Sequence, residues 1–181
     1  MCGAVSVRLF KFYPSLVFCV VFSAGLASAA DLAGRASIID GDTLEIHGQR
    51  IRLWGIDAPE RDQLCPGYDS LQYRCGSIAA NELDRFINSR PVACTPIEAD
   101  RYGRTVASCS VGGVDVAEWL VSNGHALDWP RYSKGKYSQA EKEAEKWLRG
   151  IWAGSFAAPW KYRLCVKAGG LVGSCADRAV K

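Results

Sequence analysis

Three short β-forming runs, a helical stretch and then two further β-runs predict an α+β fold: a five-stranded Greek-key barrel of the OB type with three helices. Length supports it, since 181 residues suit one domain with a real core plus extras. No internal repeat or linker between two cores interrupts the pattern. We therefore expect a leader at 1–30, one folded domain at 31–154 and a tail at 155–181.

The leader comes first. Arg8 and Lys11 precede a largely apolar run from Tyr13 to Leu26, and Ala27-Ser28-Ala29 forms a small-x-small site, which reads as a secretory signal peptide cleaved before Ala30 or Asp31. The run is shorter than the roughly 20 residues a membrane span needs. Phe18 before Cys19 is too bulky for a lipidated cysteine. The chain is thus expected to be exported, periplasmic or secreted. Its removal leaves 20 basic against 19 acidic residues, so overall charge steers no polyanion toward it.

Leu32 to Asp40 reads as the first strand, and the Asp40-Gly41-Asp42 turn leads into the second, Thr43 to Ile46. Arg50 to Ile56 is the third, with Ile51 and Leu53 on one face and Arg50, Arg52 and Trp54 on the other. Pro59, in Asp57-Ala58-Pro59-Glu60, bars further ladder bonding. A polar loop, Arg61 to Cys75, precedes a helix from Gly76 to Ser89 with Ile78, Ala79, Leu83, Phe86 and Ile87 along one side. Val92 to Glu98 and Thr105 to Val111 are strands joined by the Asp100–Arg104 turn. A short helix, Val114 to Ser122, follows.

The third helix opens on a capping box, Ser138-Gln139-Ala140-Glu141, with Ala140, Ala144, Trp147, Leu148 and Ile151 as its apolar stripe. Glu145 and Arg149 can pair along it, and Gly150 would cap its end. His47 and His125 match no motif and read as structural or surface residues.

Without Cys2 and Cys19, six cysteines remain, an even number that favours three disulfides in an exported chain. Fifteen pairings are possible, and chain order suggests Cys65–Cys75, Cys94–Cys109 and Cys165–Cys175. The middle pair sits symmetrically about the Arg101-Tyr102 turn.

Asp40-Gly41-Asp42-Thr43, then Arg52-Leu53 running to Asp57-Ala58-Pro59-Glu60, then Arg101-Tyr102-Gly103-Arg104-Thr105, together resemble the staphylococcal nuclease (thermonuclease) family, over Ala33 to Trp152. The resemblance implies a Ca²⁺-dependent endo/exonuclease of low sequence specificity that leaves 3′-phosphates. It implies Ca²⁺ ligands at the Asp42 and Asp57 side chains and the Ala58 carbonyl, with Asp40 acting through water. Ala58 stands where the family commonly has Thr, which removes a hydroxyl and keeps a backbone ligand. Arg52 and Arg104 would grip phosphate oxygens and Glu60 would handle the attacking water. Arg101 and Tyr102 match nucleotide-contacting positions, and Trp129, Tyr132 and Tyr137 are candidates to stack on a base.

The implied partner is nucleic acid, single-stranded DNA and RNA above all. No membrane contact is expected of the mature, monomeric form. The leader and the Trp-rich, cysteine-bearing tail are also similar to exported members of the family associated with exopolysaccharide (succinoglycan) production. A saccharide-binding or nucleic-acid-binding module without catalysis is the alternative.

Overall fold

The computed structural model describes residues 32–176, so the expected leader and residues 177–181 of the tail lie outside the described residues. The fold is mixed α+β. Its main sheet has seven strands: β1 (Leu32–Gly34), β2 (Ala36–Asp40), β3 (Thr43–Ile46), β4 (Gln49–Leu53), then, past three short strands of other sheets, β8 (Val92–Ala99), β9 (Thr105–Val111) and β10 (Val114–Asp115). The spatial order is β1-β8-β9-β4-β3-β2, with β10 beside β9. Outside it, β5 (Ile56–Asp57) pairs with β11 (Leu127–Asp128), and β6 (Cys65–Pro66) pairs with β7 (Gln72–Tyr73).

The expected five-stranded barrel needs correcting. The first run, Leu32 to Asp40, is split at Arg35. Its first half pairs with β8 and its second with β3, so these halves lie at opposite edges of the sheet. No ladder joins the two edges and the sheet is not closed as a barrel, although Arg35 alone separates them in the chain. Strands β3 and β9 have the bounds expected from the alternation. The expected third strand stops at Leu53, because Gly55 adopts a left-handed turn (φ 78°) before β5 resumes.

Six α-helices and one 3₁₀ turn occur among the described residues, rather than three helices: α1 (Cys75–Ile87), α2 (Val116–Ser122), α3 (Pro130–Ser133), α4 (Ser138–Lys146), the 3₁₀ turn Gly150–Ala153, α5 (Pro159–Lys167) and α6 (Val172–Ala176). Short α3 falls in a connection with few periodic apolar residues, and α5 and α6 make up the stapled tail. Helix α1 buries Ala79, Leu83 and Ile87 in the core with Leu44, Ile46, Ile51, Leu53 and Val111, while Ile78 points outward. All three suggested disulfides form, with Cys94 directly opposite Cys109 across β8 and β9.

Helix α4 departs most from expectation. Tyr137 stands at its N-cap and no side chain caps it, because Glu141 instead accepts from the Asp128 amide at 3.1 Å. The helix ends at Lys146, since Leu148 and Gly150 both take positive φ (50° and 55°). Trp147 and Leu148, expected in the core, are each 63% exposed. Arg149 donates to the Ser122 carbonyl instead of pairing with Glu145. Ala144 and Ile151 are buried as expected.

Candidate active site

Four chain segments converge on one open cleft of about 1480 Å³, whose lining includes Asp40, Asp42, Arg52, Glu60 and Arg104. The β2–β3 turn supplies the first two. A register shift between Ile38 and Asp40 brings Asp40 opposite Thr43, so the Asp40 side chain folds back to accept from the Asp42 amide at 3.2 Å. Gly41 is required at this turn. A Cβ there would sit 2.8 Å from the Ala58 Cβ and 2.9 Å from that of Ala79.

Asp42 and Asp57 form the floor. Asp57 is fully buried and Asp42 nearly so, and one nitrogen of Arg52, Nη2, lies 2.8 Å from Asp42 Oδ2 and 2.7 Å from Asp57 Oδ1. Asp42 also accepts from the Thr43 hydroxyl at 3.0 Å and the Ala58 amide at 3.3 Å. Burial works against the Arg52 charge, yet the two carboxylates hold its pKa above the ordinary value. Burial and then the negative charge of Asp42 push the Asp40 carboxyl up to about 6. Burial also raises Asp57, against the opposing pull of its arginine partners.

Parallel pairing of β4 with β9 brings in the second arginine. Ile51 faces Thr105 and Arg52 faces Val106, so Arg104 enters the sheet beside the strand that carries Arg52. Asp100 clamps Arg104, accepting from Nε at 2.8 Å and from the Tyr102 and Arg104 amides at 2.9 Å. Arg101 and Tyr102 are exposed at the hairpin tip. Tyr102 is flanked by Arg101 (4.9 Å from guanidinium to ring centre) and Arg104 (5.6 Å).

Glu60 is anchored through its backbone. Its amide donates to buried Gln63 at 3.2 Å, and Gly76 at the start of α1 packs so closely that a Cβ would run into the Glu60 carbonyl. Its side chain meets a residue that the sequence reading did not assign to the site. Arg163 of α5 donates from Nη1 to Glu60 Oε1 at 2.6 Å and from Nη2 to Asp57 Oδ2 at 2.7 Å. The stretch Pro159-Trp160-Lys161-Tyr162-Arg163 stood out in the sequence, but only as tail.

Of the aromatic candidates, Trp129 and Tyr132 line the cleft. Trp129 lies near both Arg52 (5.9 Å) and Arg163 (5.6 Å) and stacks on Trp160 with centroids 6.0 Å apart. Tyr137 does not serve there. It is buried in the core, and its hydroxyl bonds to Asp115 and Lys136. His47 is a surface residue against the Ala33 carbonyl, and His125 packs beside Trp119.

The donor chemistry of the floor, carboxylate oxygens in a sheltered anionic pocket, suits a hard divalent cation. Among the described residues no three or more His, Cys, Asp or Glu are already arranged to hold one, and the positive charge is supplied by Arg52 and Arg163.

Comparison with known proteins bears on part of the site. The family model described as "Staphylococcal nuclease homologue" matches residues 50–154. The chain is 43% identical over 127 residues to "Succinoglycan biosynthesis protein ExoI" of Rhizobium meliloti (strain 1021), covering 69% of this chain and 66% of that one. It is 31% identical over 141 residues to "Probable staphylococcal-like nuclease CAN3" of Oryza sativa subsp. japonica, of whose length it spans only 35%. It is 31% identical over 166 residues to "Micrococcal nuclease" of Shigella flexneri, covering 82% of this chain and 90% of the relative.

Proposed function

We propose that this chain, which belongs to the staphylococcal nuclease family, is an exported, monomeric nuclease that hydrolyses phosphodiester bonds in DNA and RNA. One observation carries the reading. Two arginines line the same cleft, Arg104 from the turn that leads into β9 and Arg52 from the parallel neighbour β4, and Arg52 bonds a buried carboxylate pair on its floor. Guanidinium forks beside hard anionic ligands are the parts that phosphoryl chemistry needs.

In this reading Asp42 and Asp57 hold Ca²⁺ through their carboxylates, the Ala58 carbonyl adds a ligand, and Asp40 contributes through water. The bound cation supplies charge neutralisation at the phosphate oxygens. Arg52 and Arg104 bind the phosphate and offset the charge that develops there. Glu60 orients or deprotonates the attacking water from the wall of the cleft, and cleavage leaves a 3′-phosphate. Arg101 and Tyr102 contact the neighbouring nucleotide. Trp129 and Tyr132 offer stacking surfaces that accept any base, which agrees with low sequence specificity and a preference for single strands. Three disulfides fit an oxidising compartment.

Purified protein should digest single-stranded DNA with Ca²⁺ and stop when a chelator is added. Glu60→Ala, Arg52→Ala and Arg104→Ala should each lose activity. Digestion that persists equally in all three, or that never appears with Ca²⁺, overturns the assignment.

A second reading rests on the relative named for succinoglycan biosynthesis. Here the same fold serves exopolysaccharide production, as a binding module for oligosaccharide. Saccharide binding that survives Glu60→Ala in a protein without nuclease activity would favour it.

A further inference from the structure

The acid cluster has three carboxylates, Asp42, Asp57 and Glu60, and two cations bonded to them. One cation, Arg52, is part of the sheet. The other, Arg163, arrives from a helix that the family match at 50–154 leaves out. Its placement is built, not incidental. Gln63, fully buried, donates to the Ala157 carbonyl at 2.7 Å and fixes the entry to α5. Pro159 opens the helix, Trp160 stacks on Trp129, and buried Tyr162 reaches toward Asp62. The Cys165–Cys175 bridge ties the far end of α5 to α6. All of this delivers a planar fork to Asp57, with Nη1–Oδ1 at 3.0 Å and Nη2–Oδ2 at 2.7 Å.

Both oxygens of Asp57 are therefore engaged by Arg163, and Oδ1 by Arg52 as well. A divalent cation that took Asp57 as a ligand would need one of these oxygens and would repel the guanidinium beside it. We infer that Arg163 is the internal counter-cation of the active site. A divalent cation must displace it from Asp57, so the C-terminal helix positions the carboxylates and sets the cation requirement. The inference rests on the proposed use of Asp42 and Asp57 as cation ligands, and it deepens that reading by adding a residue from outside the family match.

The sign of the effect separates this role from a merely structural one. Loss of a structural support loosens the site and weakens cation binding. Loss of a competing cation tightens it. Terbium(III) is the probe, because Trp129 and Trp160 lie close enough to the cluster to sensitise its luminescence, and Ca²⁺ is then titrated against it. Arg163→Gln should bind Tb³⁺ about tenfold more tightly than the unsubstituted protein, the order expected on removing a charge-assisted bidentate competitor. Arg163→Lys keeps the charge without the fork and should fall between them. Unchanged or weaker binding in Arg163→Gln overturns the inference, as does the absence of binding in every form.

Hydrogen exchange gives a second test that does not depend on the variant folding well. In the unsubstituted protein, amides of residues 160–167 should exchange faster once Ca²⁺ is added. Unchanged protection there overturns displacement. Neither measurement involves nucleic acid, so a protein that binds cation as described yet cuts nothing would refute the nuclease reading alone.

Discussion

Arg163 meets Asp57 edge to edge, two guanidinium nitrogens against two carboxylate oxygens, across 106 residues of sequence. With Arg52 bonded to Oδ1 of the same carboxylate, Asp57 is the hub of the cluster. Its own charge is buried and depends on both partners. Equally, each partner depends on it.

Asp57→Asn should therefore cost stability as well as activity. Removing this one negative charge leaves two guanidinium groups close together with only Asp42 and Glu60 to balance them. Breaking a buried pair of this kind costs about 3 kcal/mol. Urea unfolding of the variant should show that loss, and digestion of single-stranded DNA should fall to background. A variant as stable as the parent would mean the pairs contribute little to the fold.

Much of the site was legible because its determinants are local. A turn signal between β-runs located Asp40 and Asp42, and strand alternation put Arg52 on the face opposite Ile51 and Leu53. Arg163 was not legible, since nothing near it in sequence encodes a partner more than 100 residues away. Only the packing of α5 against Gln63, Trp129 and Asp62 reveals it. Periodicity failed for a related reason at Trp147 and Leu148. The apolar stripe continues in the sequence, but the backbone turns left-handed at Leu148 and the stripe is never presented to the core. Tyr137 shows the converse. Its position suited a stacking role, and core packing claimed it instead.

Asp100 should prove to be a positioning residue for Arg104. Partial burial pushes its carboxyl up, and hydrogen bonds from Arg104 and the Tyr102 amide outweigh this and hold it below the ordinary carboxylate value. Asp100→Ala frees the guanidinium to wander. We expect kcat to fall about tenfold to a hundredfold, the usual scale for misplacing a phosphate clamp. Stability should change by less than about 1 kcal/mol, as for other pairs near the surface. Steady-state kinetics and thermal unfolding together test both halves.

The Cys94–Cys109 bridge crosses β8 and β9 and closes the hairpin that presents Arg101, Tyr102 and Arg104. Replacing both cysteines with serine should lower stability by about 3 kcal/mol, the loop-closure value for a separation of 15 residues. Because the hairpin is also held by its ladder to β4, the site should survive below the new melting temperature. Activity at 20 °C close to that of the parent, with a lower melting temperature, is the expected pattern.

Glu141 gives the fold a pH dependence that can be isolated. Burial is the main cause that raises its carboxyl to about 7. The Asp128 amide pulls the other way, and the neighbouring Asp128 and Glu145 charges add to the rise. The folded-state value thus lies above the unfolded one, so the folded protein holds the proton more tightly. The stability this gives is fully present below pH 4.5 and is lost as pH rises through about 7. Since the side chain is only half-buried, solvent screening reduces the effect to about 1 kcal/mol. Asp40 titrates in the same direction over part of this window, so the parent alone cannot separate the two. Glu141→Gln can, because glutamine still accepts from the Asp128 amide and never ionises. Urea unfolding at pH 5 and pH 7.5 should show the parent losing about 1 kcal/mol more than the variant between them. Equal losses would mean that Glu141 does not carry the dependence.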